Sequence, residues 1–547
     1  MKIEKLIIEN FKCFKEKFTL ELGGGLNIIV GDNESGKSTI LEAINLALTG
    51  LINGRYLRNE LTQYFFNDAT VKEYLTSLTS GSPKPPPHIL IELHLSGDGL
   101  AKFEGDKNSE KIPGCGLFMK IEFNEKYRPE YQCLLDVGEL STIPIEYYTI
   151  NWIAFSRDSI TARSIPLKTA LIDSTSTKYP NGSDVYISRI VKELLSEEEI
   201  VSVSQAHRNM KEAFMGHSAI DAINKKVAEA AKISDKNVKL SVELSSKNAW
   251  EGSLTTYLDD IPFHHVGKGE QCMVKTNLAL AHNKSKEASL ILLEEPENHL
   301  SHSKLNQLIR TIRDNSTGKQ IIITSHSSFV ANKLGLNNLI LLNDKLAAKL
   351  CELSESTRKF FEKIPGYDTL RLLLCSKAIL VEGDSDELIV QKAYIDKYGK
   401  LPIEDNIDVI SVGTSFLRFL EIAEKINKEA VVVTDNDGDV EAIRNKYEEY
   451  LGGNSKDNIS VCFDEVVDSG NLEISGKKFN YNTLEPKLVK ANDLQKMNSI
   501  LGTSYAEIDG LHKYMKLNKT DCALKFFETG EGFNYPPYIL EAISNEQ

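Results

Sequence analysis

The sequence predicts an α/β protein of more than one domain, and three observations carry that prediction. Residues 26–30, LNIIV, read as a buried strand, and after a glycine-bounded loop the apolar residues Ile40, Leu41, Ile44 and Leu48 recur at helical spacing. Two later apolar runs, "LILLEEPENHL" and "QIIITSHSSFV", read as strands that end in acids and at a histidine respectively. From residue 376 the chain runs strand, turn, helix in "KAILVEGDSDELIVQKAYI" and again in "IDVISVGTSFLRFLEIAEKI". A third strand in "EAVVVTDNDGDVEAI" closes on acids, which implies a small parallel sheet.

Composition bounds the rest. A chain of 547 residues is too long for a single core and suits two or three domains. Charged residues at 26% and hydrophobic ones at 41% exclude a disordered chain, and no apolar run approaches a membrane span. The opening MKIE begins directly in strand-like sequence without the charged and apolar regions of a signal peptide, so the expectation is a cytoplasmic protein. The eight cysteines are scattered with no C-x-x-C pair, which indicates neither a zinc ribbon nor a disulfide framework. A formal net charge of −14 counts only modestly against nucleic acid, because a local basic groove can persist on an acidic protein.

In chain order, residues 3–8 and 18–22 alternate like paired strands. Residues 31–38, GDNESGKS, fit the phosphate-binding pattern G-x-x-x-x-G-K-[S/T]. Glycines let backbone N–H groups close around a polyphosphate, the helix N-terminus adds its positive end, Lys37 reaches the β and γ phosphates, and Ser38 can ligate Mg²⁺. A chance glycine turn is the alternative, and strand, loop and helix in the right order weigh against it. The stretch "KIEKLIIENFKCFKEKFTLELGGGLNIIVGDNESGKSTILEAI" resembles the start of SMC/RecF-type ATPases, relatives of the nucleotide-binding domains of ABC transporters. That resemblance implies nucleotide contacts from Asn33, Gly36, Lys37, Ser38 and Thr39. It also puts Gln63 near the metal, where a plain exposed glutamine is the commoner explanation.

The loop GSPKPPP at 81–87 is stiff and poor in donors, and a strand resumes at 89–95 in a sheet-rich stretch that runs to about residue 150. The period turns helical over 185–232, in "YISRIVKELL" and "MKEAFMGHSAIDAINKKVAEAAK". These segments read as an insert at 160–238, a dimerisation or partner-binding element far too short for an SMC arm. "FHHVGKGEQ" then resembles the signature loop that contacts the γ-phosphate of ATP on the opposite protomer, through Gly267, Gly269 and Gln271. Hydrolysing ATP needs a metal held at the phosphates, a carboxylate that activates water, and donors around the developing charge. By the same resemblance Glu294 holds Mg²⁺ through water, Glu295 is the catalytic base and His326 faces the γ-phosphate. Two departures stand out: Glu294 replaces the commoner aspartate, and Lys268 occupies the place of a serine. Lys268 can still touch phosphate, or it can slow turnover so that ATP serves as a clamp. The ATPase-like domain is expected over 1–345 and a linker over 346–375, charged and helical from 344 to 366.

In the C-terminal part, VEGDSD at 381–386 followed by TDND at 434–437 resembles the Toprim pattern of topoisomerases, primases and several nucleases. A glutamate after one strand and D-x-D after a later parallel strand converge at the carboxyl edge of a sheet. Clustered carboxylates repel one another unless a divalent cation is present, so Glu382, Asp386, Asp435 and Asp437 read as a Mg²⁺ or Mn²⁺ site; two acid-rich turns capping helices are the alternative. Gly383 is expected in a tight turn, and Gly413 either admits backbone to the site or simply turns the chain. The resemblance adds Glu485 as a late metal ligand and Lys519 as the lysine that offsets phosphate charge, with Lys516 and Lys525 close by. This domain is expected over 376–547.

An ABC-like ATPase with a helical insert, followed by a Toprim domain, resembles the OLD (overcoming lysogenization defect) family over nearly the whole length. Its members are ATPase-nucleases, many of them anti-phage effectors such as the Gabija nuclease and retron-associated nucleases. The resemblance implies an ATP- and divalent-metal-dependent DNA endonuclease, a homodimer or larger, away from membranes. Its partner would be a helicase, a reverse transcriptase with its RNA–DNA product, or none. Two readings compete. A primase or topoisomerase would need zinc-binding cysteines or a domain carrying a strand-cleaving tyrosine. A SMC/RecF-like recombination or repair clamp whose Toprim domain binds DNA without cutting would leave Glu382, Asp435 and Asp437 idle.

Overall fold

Strand formation at the N-terminus follows from where the apolar side chains fall. In Lys2–Glu9 (β1) the side chains of Ile3, Leu6, Ile7 and Ile8 are all buried. The structure, a computed structural model, describes residues 1–52, 55–79, 83–137, 140–173, 195–230, 239–242, 250, 255–281, 290–315, 318–343, 345–350, 353–363, 369–474 and 476–544. The chain divides into two compact units, one dominated by Met1–Ser325 and the other by His326–Asn343 with Ala348–Gln547.

The first unit holds two larger sheets. After β1 come Phe18–Glu21 (β2), Leu26–Gly31 (β3), the helix Lys37–Thr49 (α1), Ile89–Ser96 (β4), Gly114–Phe123 (β5) and Tyr148–Ala154 (β6). β2, β1, β4, β5 and β6 pair in that order, all antiparallel. The second sheet is parallel and runs Thr169–Asp173 (β7), Leu290–Glu294 (β8), Gln320–Ser325 (β9) and β3. Gln320 stitches the two sheets together: its fully buried amide accepts from Ile3 N at 2.8 Å and donates to Ile3 O at 2.7 Å and Gly23 O at 2.8 Å. Both amide hydrogens and the carbonyl oxygen are engaged, which is what makes a buried amide tolerable there. Helix α1 buries Ile40, Leu41, Ala43, Ile44, Leu46, Ala47 and Leu48, more than one face.

One difference from the sequence reading concerns this unit. Residues 169–173 fall within the range assigned to the helical insert, yet they form β7 and pair in register with β8. A five-residue run between polar stretches gives too little periodicity to separate strand from loop. Within the insert, Glu197–Met215 (α2) and Ser218–Ala230 (α3) are helices, α2 beginning with a reciprocal cap between Ser196 and Glu199. Residues 186–194 of "YISRIVKELL" lie outside the described residues.

The second unit begins earlier than a bare linker would allow. Glu355–Lys363 and Thr369–Leu374 are helices that bury Thr357, Phe361, Leu370, Leu372 and Leu373. Arg371 in the second of them forks onto Asp408, Nη2 to Oδ1 at 2.6 Å and Nε to Oδ2 at 3.0 Å. Helices are expected of this connector; that they pack into the second unit is not legible because their apolar positions are few. Beyond them lie Lys377–Val381 (β10), Asp384–Tyr398 (α5), Ile407–Ser411 (β11), Glu429–Val433 (β12), Ile459–Cys462 (β13), Leu484–Ala491 (α6), Ile508–Leu517 (α7) and Lys519–Glu528 (α8). The sheet order is β11-β10-β12-β13 and every pairing is parallel. β13 is a fourth strand beyond the three read from the sequence. The core joins the sheet residues Ile379, Val381, Val409, Val431 and Val433 to Tyr394, Leu488, Met515, Phe526 and Ile539.

Candidate functional site

The loop between β3 and α1 is shaped by its own lysine. Buried Lys37 donates from Nζ to Gly31 O at 2.9 Å and Asp32 O at 2.8 Å. Burial lowers its pKa, opposed by the nearby carboxylates Glu295, Asp32, Glu297 and Glu294. These acids therefore surround the ammonium closely enough to act on it. Gly36 is required twice over: its φ of 108° is left-handed, and a Cβ there would come within 2.7 Å of the Phe14 ring and 3.0 Å of Cys13 Sγ. Asn33 and Ser38 are exposed at the loop, while Thr39 is half-buried, its hydroxyl 3.6 Å from Cys13 Sγ.

Parallel register carries the other acids to the same edge. Glu294 at the end of β8 lies opposite Thr324, and Thr324 opposite Ile29, so the end of β9 lies beside the strand that leads into the loop and the end of β8 one strand further out. Glu295 follows with a left-handed φ of 40°, donates its N–H to Thr324 O at 3.0 Å, and has Oε2 held by Asn298 Nδ2 at 2.7 Å. His326 follows β9 directly. Gln63 starts a short 3-10 turn, and its Oε1 accepts from Ile143 N at 3.3 Å. The helix Lys268–Ala281 (called α4) starts at the glycine loop, where Gln271 is buried and donates to Val266 O at 2.8 Å. Gly267 is exposed with open space at its Cβ position, whereas a Cβ on Gly269 would lie 2.3 Å from His299 O. Gly269 thus has an intrachain reason to be glycine, close packing of α4 on the loop after Glu295, which sequence reading had tied only to nucleotide.

In the second unit the acids gather at the carboxyl edge of the parallel sheet. Glu382 follows β10; Asp435 and Asp437 follow the neighbouring β12. Asp386 lies in the first turn of α5, with Oδ2 accepting from Gly383 N at 3.1 Å. Glu485 lies in the first turn of α6, buried, and pairs with Lys519 Nζ at 3.0 Å. Asp435 Oδ2 accepts from Leu484 N at 3.1 Å, and the exposed Asp437 accepts from Asn480 Nδ2 at 2.9 Å. Burial, then Glu485 and Glu382, push the Asp386 carboxyl up to about 7. Burial, then Asp386 and Glu485, raise Asp435 well above the usual carboxylate range. Burial lowers the Lys519 pKa but Glu485 outweighs it, and the net shift is upward. Asp386, Asp435 and Glu485 therefore share one poorly solvated space, where each charge opposes the next.

As placed, no three His, Cys, Asp or Glu side chains among the described residues stand where they could hold a metal ion together. Each acid is already engaged: Asp386 by Gly383 N at the start of its own helix, Asp435 by Leu484 N, Asp437 by Asn480 and Glu485 by Lys519, the last three from other segments of the chain. Gly383 has an extended φ of −145°, so the tight-turn role expected of it is not what the backbone uses. Gly413 has φ 58° and donates to Glu382 O at 3.0 Å, so here the turn does use the glycine.

Comparison with known proteins assigns both units. An AAA domain model matches residues 5–261 and a second AAA domain model matches 254–332. The "Overcoming lysogenization defect protein-like, TOPRIM domain" model matches 373–437. The chain joins an AAA ATPase domain to an OLD-like TOPRIM domain. Its fold class is the one read from the sequence, a P-loop ATPase followed by a Toprim sheet. Structural maintenance of chromosomes protein 6 of Saccharomyces cerevisiae is 59% identical over 46 residues, 8% of this chain and 4% of that one. DNA replication and repair protein RecF of Shewanella pealeana is 36% identical over 108 residues, 20% of this chain and 28% of that one. The chain thus spans well under two thirds of these curated relatives. A solved structure of the recombination mediator protein RecF with ATP overlaps 64% of this chain and 99% of that one at 12% identity, with a TM-score of 0.34. Among the described residues no helix is long and apolar enough to cross a membrane.

The TOPRIM match ends at residue 437, so Glu485 and Lys519 come to the site through the fold and not through that match. Sequence reading missed several residues that build it. Buried Lys487 donates to Val466 O at 2.7 Å and pairs with Asp464 at 2.6 Å and Asp468 at 2.7 Å, and Lys490 joins Asp468 at 2.6 Å, so two lysines offset these two acids beside the cluster. Buried Asn436, between the two aspartates of D-x-D, ties that loop to Val466 O at 3.2 Å and orders the turn by accepting from Gly438 N at 2.9 Å. A lysine two residues after Glu485 was the available signal for Lys487.

Proposed function

We propose that this chain is an OLD-family ATPase and divalent-metal-dependent DNA endonuclease, active as a homodimer or larger assembly in anti-phage defence. The observation that carries the nuclease reading is the convergence of Asp386, Asp435 and Glu485 from three separate segments into one buried, mutually repelling group, with Lys519 on its border. Such a group is stabilised by a hard cation, and an all-oxygen donor set suits Mg²⁺ or Mn²⁺. Glu382, Asp386, Asp435, Asp437 and Glu485 would hold it. A bound divalent ion supplies an activated water and Lewis-acid stabilisation of phosphate oxygens. Lys519 offsets charge at the phosphate, and no protein nucleophile is required.

In the ATPase domain Lys37 has the position to meet the β and γ phosphates, with Ser38 and Glu294 toward Mg²⁺ and Glu295 as the base oriented by Asn298. Asn33, Gly36, Thr39 and Gln63 complete the nucleotide contacts in this reading, His326 faces the γ-phosphate, and Gly267, Gly269 and Gln271 serve ATP on a second protomer. The exposed apolar residues of the helical insert, Val201, Met210, Phe214 and Ile223, support assembly. The resemblance to the OLD family supports the defence role.

The test is incubation of the full chain with supercoiled, linear and single-stranded DNA, with Mg²⁺ or Mn²⁺ and with or without ATP. Cleavage that needs the cation is expected. Equal cleavage in EDTA, or none on any DNA under any of these conditions, overturns the nuclease reading.

A further inference from the structure

Beside the acidic cluster lies a small cavity of about 60 Å³ whose chemistry is the reverse of the cluster's. Phe479, Asn480 and Thr483 form one side, His512 and Lys516 of α7 the other, and Glu485 with Lys519 the border. His512 is only 6% exposed, and neither ring nitrogen has a hydrogen-bond partner. The ring is firmly held, stacked on Phe479 at 5.1 Å and 16° and met edge-on by Tyr481 at 5.6 Å and 77°. A neutral imidazole offers one donor and one acceptor, and each left unmade in the interior costs about 1–3 kcal/mol. Native structures rarely tolerate that without a water, ion or ligand to account for it.

One helical turn on, and so on the same face, Lys516 places Nζ 5.5 Å from the centre of the Phe479 ring and makes no ion pair among the described residues. The polar groups that remain are nearly all committed. Asn480 donates to Asp437, Thr483 donates to Glu485 Oε2 at 3.1 Å, and Glu485 is paired with Lys519. What the cavity still offers is the His512 ring N–H and the ammonium hydrogens of two lysines. A few waters would fit the volume and satisfy His512, but they would bring no negative charge to Lys516, which has no ion pair among the described residues. A tetrahedral oxyanion accepts from the His512 N–H and gives Lys516 an ion partner, with a water left to donate to the second ring nitrogen.

We propose that His512 and Lys516 form a subsite for a backbone phosphate of nucleic acid next to the one being cut. This rests on the nuclease reading above for the identity of the strand. Asn480 links the subsite to Asp437 and Lys519 links it to Glu485, so a strand seated here leads directly to the acids. His512 and Lys516 are positioning residues that fix the register of the strand and take no part in bond breaking.

The experiment uses the full chain with a short DNA duplex, binding measured in Ca²⁺ and cleavage in Mg²⁺ or Mn²⁺. His512→Phe keeps the ring stack and removes both nitrogens; Lys516→Gln and Lys516→Arg change an exposed residue. Each of the first two should raise KM about tenfold with kcat little changed, and Lys516→Arg should restore KM. Lys516→Gln should also flatten the salt dependence of binding by about 0.9 in log–log slope, the loss of one phosphate contact. A single neutral methylphosphonate, walked along the strand, should weaken wild-type binding at one position beside the cut and add no further loss in Lys516→Gln. This scan on the wild type stands even if a variant fails to fold. Cleavage with an unchanged slope and no sensitive position overturns the subsite and leaves the nuclease. The expected binding profile without cleavage overturns the nuclease and leaves the subsite. Weakening by inorganic phosphate alone, without a sensitive position in DNA, also overturns the subsite, because the cavity would then serve a free anion.

Discussion

At the phosphate loop one buried ammonium is held by two backbone carbonyls five and six residues away, whereas at the TOPRIM sheet edge buried carboxylates drawn from residues 386 to 485 face one another across the fold. Burial disfavours the charged form in both places, lowering Lys37 and raising Asp386. The loop offsets this locally, with donors and acceptors supplied by the motif itself. The cluster adds repulsion to burial and leaves the balance to something outside the chain. A site formed from one continuous segment can be complete in the ligand-free protein, and a site assembled from many segments need not be.

The sharpest way to break this contrast is to disable one site and read the other. Asp435→Asn removes a charge from the cluster and should lower metal-dependent DNA cleavage about 10³-fold, the equivalent of about 4 kcal/mol in the barrier. ATP hydrolysis should change less than about twofold, since Asp435 lies outside the phosphate loop. The converse, Lys37→Ala, should weaken ATP binding about 10²-fold by removing charge-assisted hydrogen bonds to phosphate. Mn²⁺ binding followed calorimetrically in that variant should keep its TOPRIM component. Loss of both activities from either substitution would mean that the sites are one.

That difference also explains what could be read in advance. The loop was legible because its lysine, glycines and serine lie within eight residues, bounded by a strand and a helix whose periods differ. Glu382 and the D-x-D acids were legible because each ends an apolar strand, and parallel pairing brings strand ends together. Strand β7 was not, because five residues carry little periodicity, and its place beside β8 depends on a pairing across more than a hundred residues. His512 and Lys487 were not, because nothing local separates a cavity-lining histidine or a neutralising lysine from any other on an amphipathic helix. Gly269 was found for one reason and is held by another.

Gly269 gives a smaller and more local test of the first domain. An added methyl group would lie 2.3 Å from His299 O, a backbone atom that cannot swing aside, so α4 must shift. Gly269→Ala should therefore destabilise the ATPase domain by about 1–3 kcal/mol. Gly267→Ala, whose methyl group meets open space, should stay within about 0.5 kcal/mol of wild type. Thermal melts of the two variants decide it, and equal melting temperatures would show that Gly269 is free of this packing requirement.

The smallest effect per unit of the variable tests the repulsion itself. In the folded, metal-free protein Asp386 holds its proton up to about pH 7, while in the unfolded chain it loses it near the ordinary value of 3.8. Below about pH 4 both states are protonated and the group contributes nothing. Between about 4 and 7 the folded state binds more protons, so stability falls as pH rises, by at most about 1.4 kcal/mol per pH unit for one such group. Above about 7 the loss is complete. Asp435 is shifted the same way and adds to the slope. The difference in unfolding free energy between wild type and Asp386→Asn, measured in EDTA from pH 4.5 to 8, removes contributions from uncoupled groups elsewhere in the chain. That difference should move against wild type as pH rises and level off above 7, and a divalent cation should shrink it, because cation binding stabilises the deprotonated form. A difference that is flat across the window, or that favours wild type as pH rises, would mean that Asp386 is not held among opposing charges, and the comparison between the two sites would lose its basis.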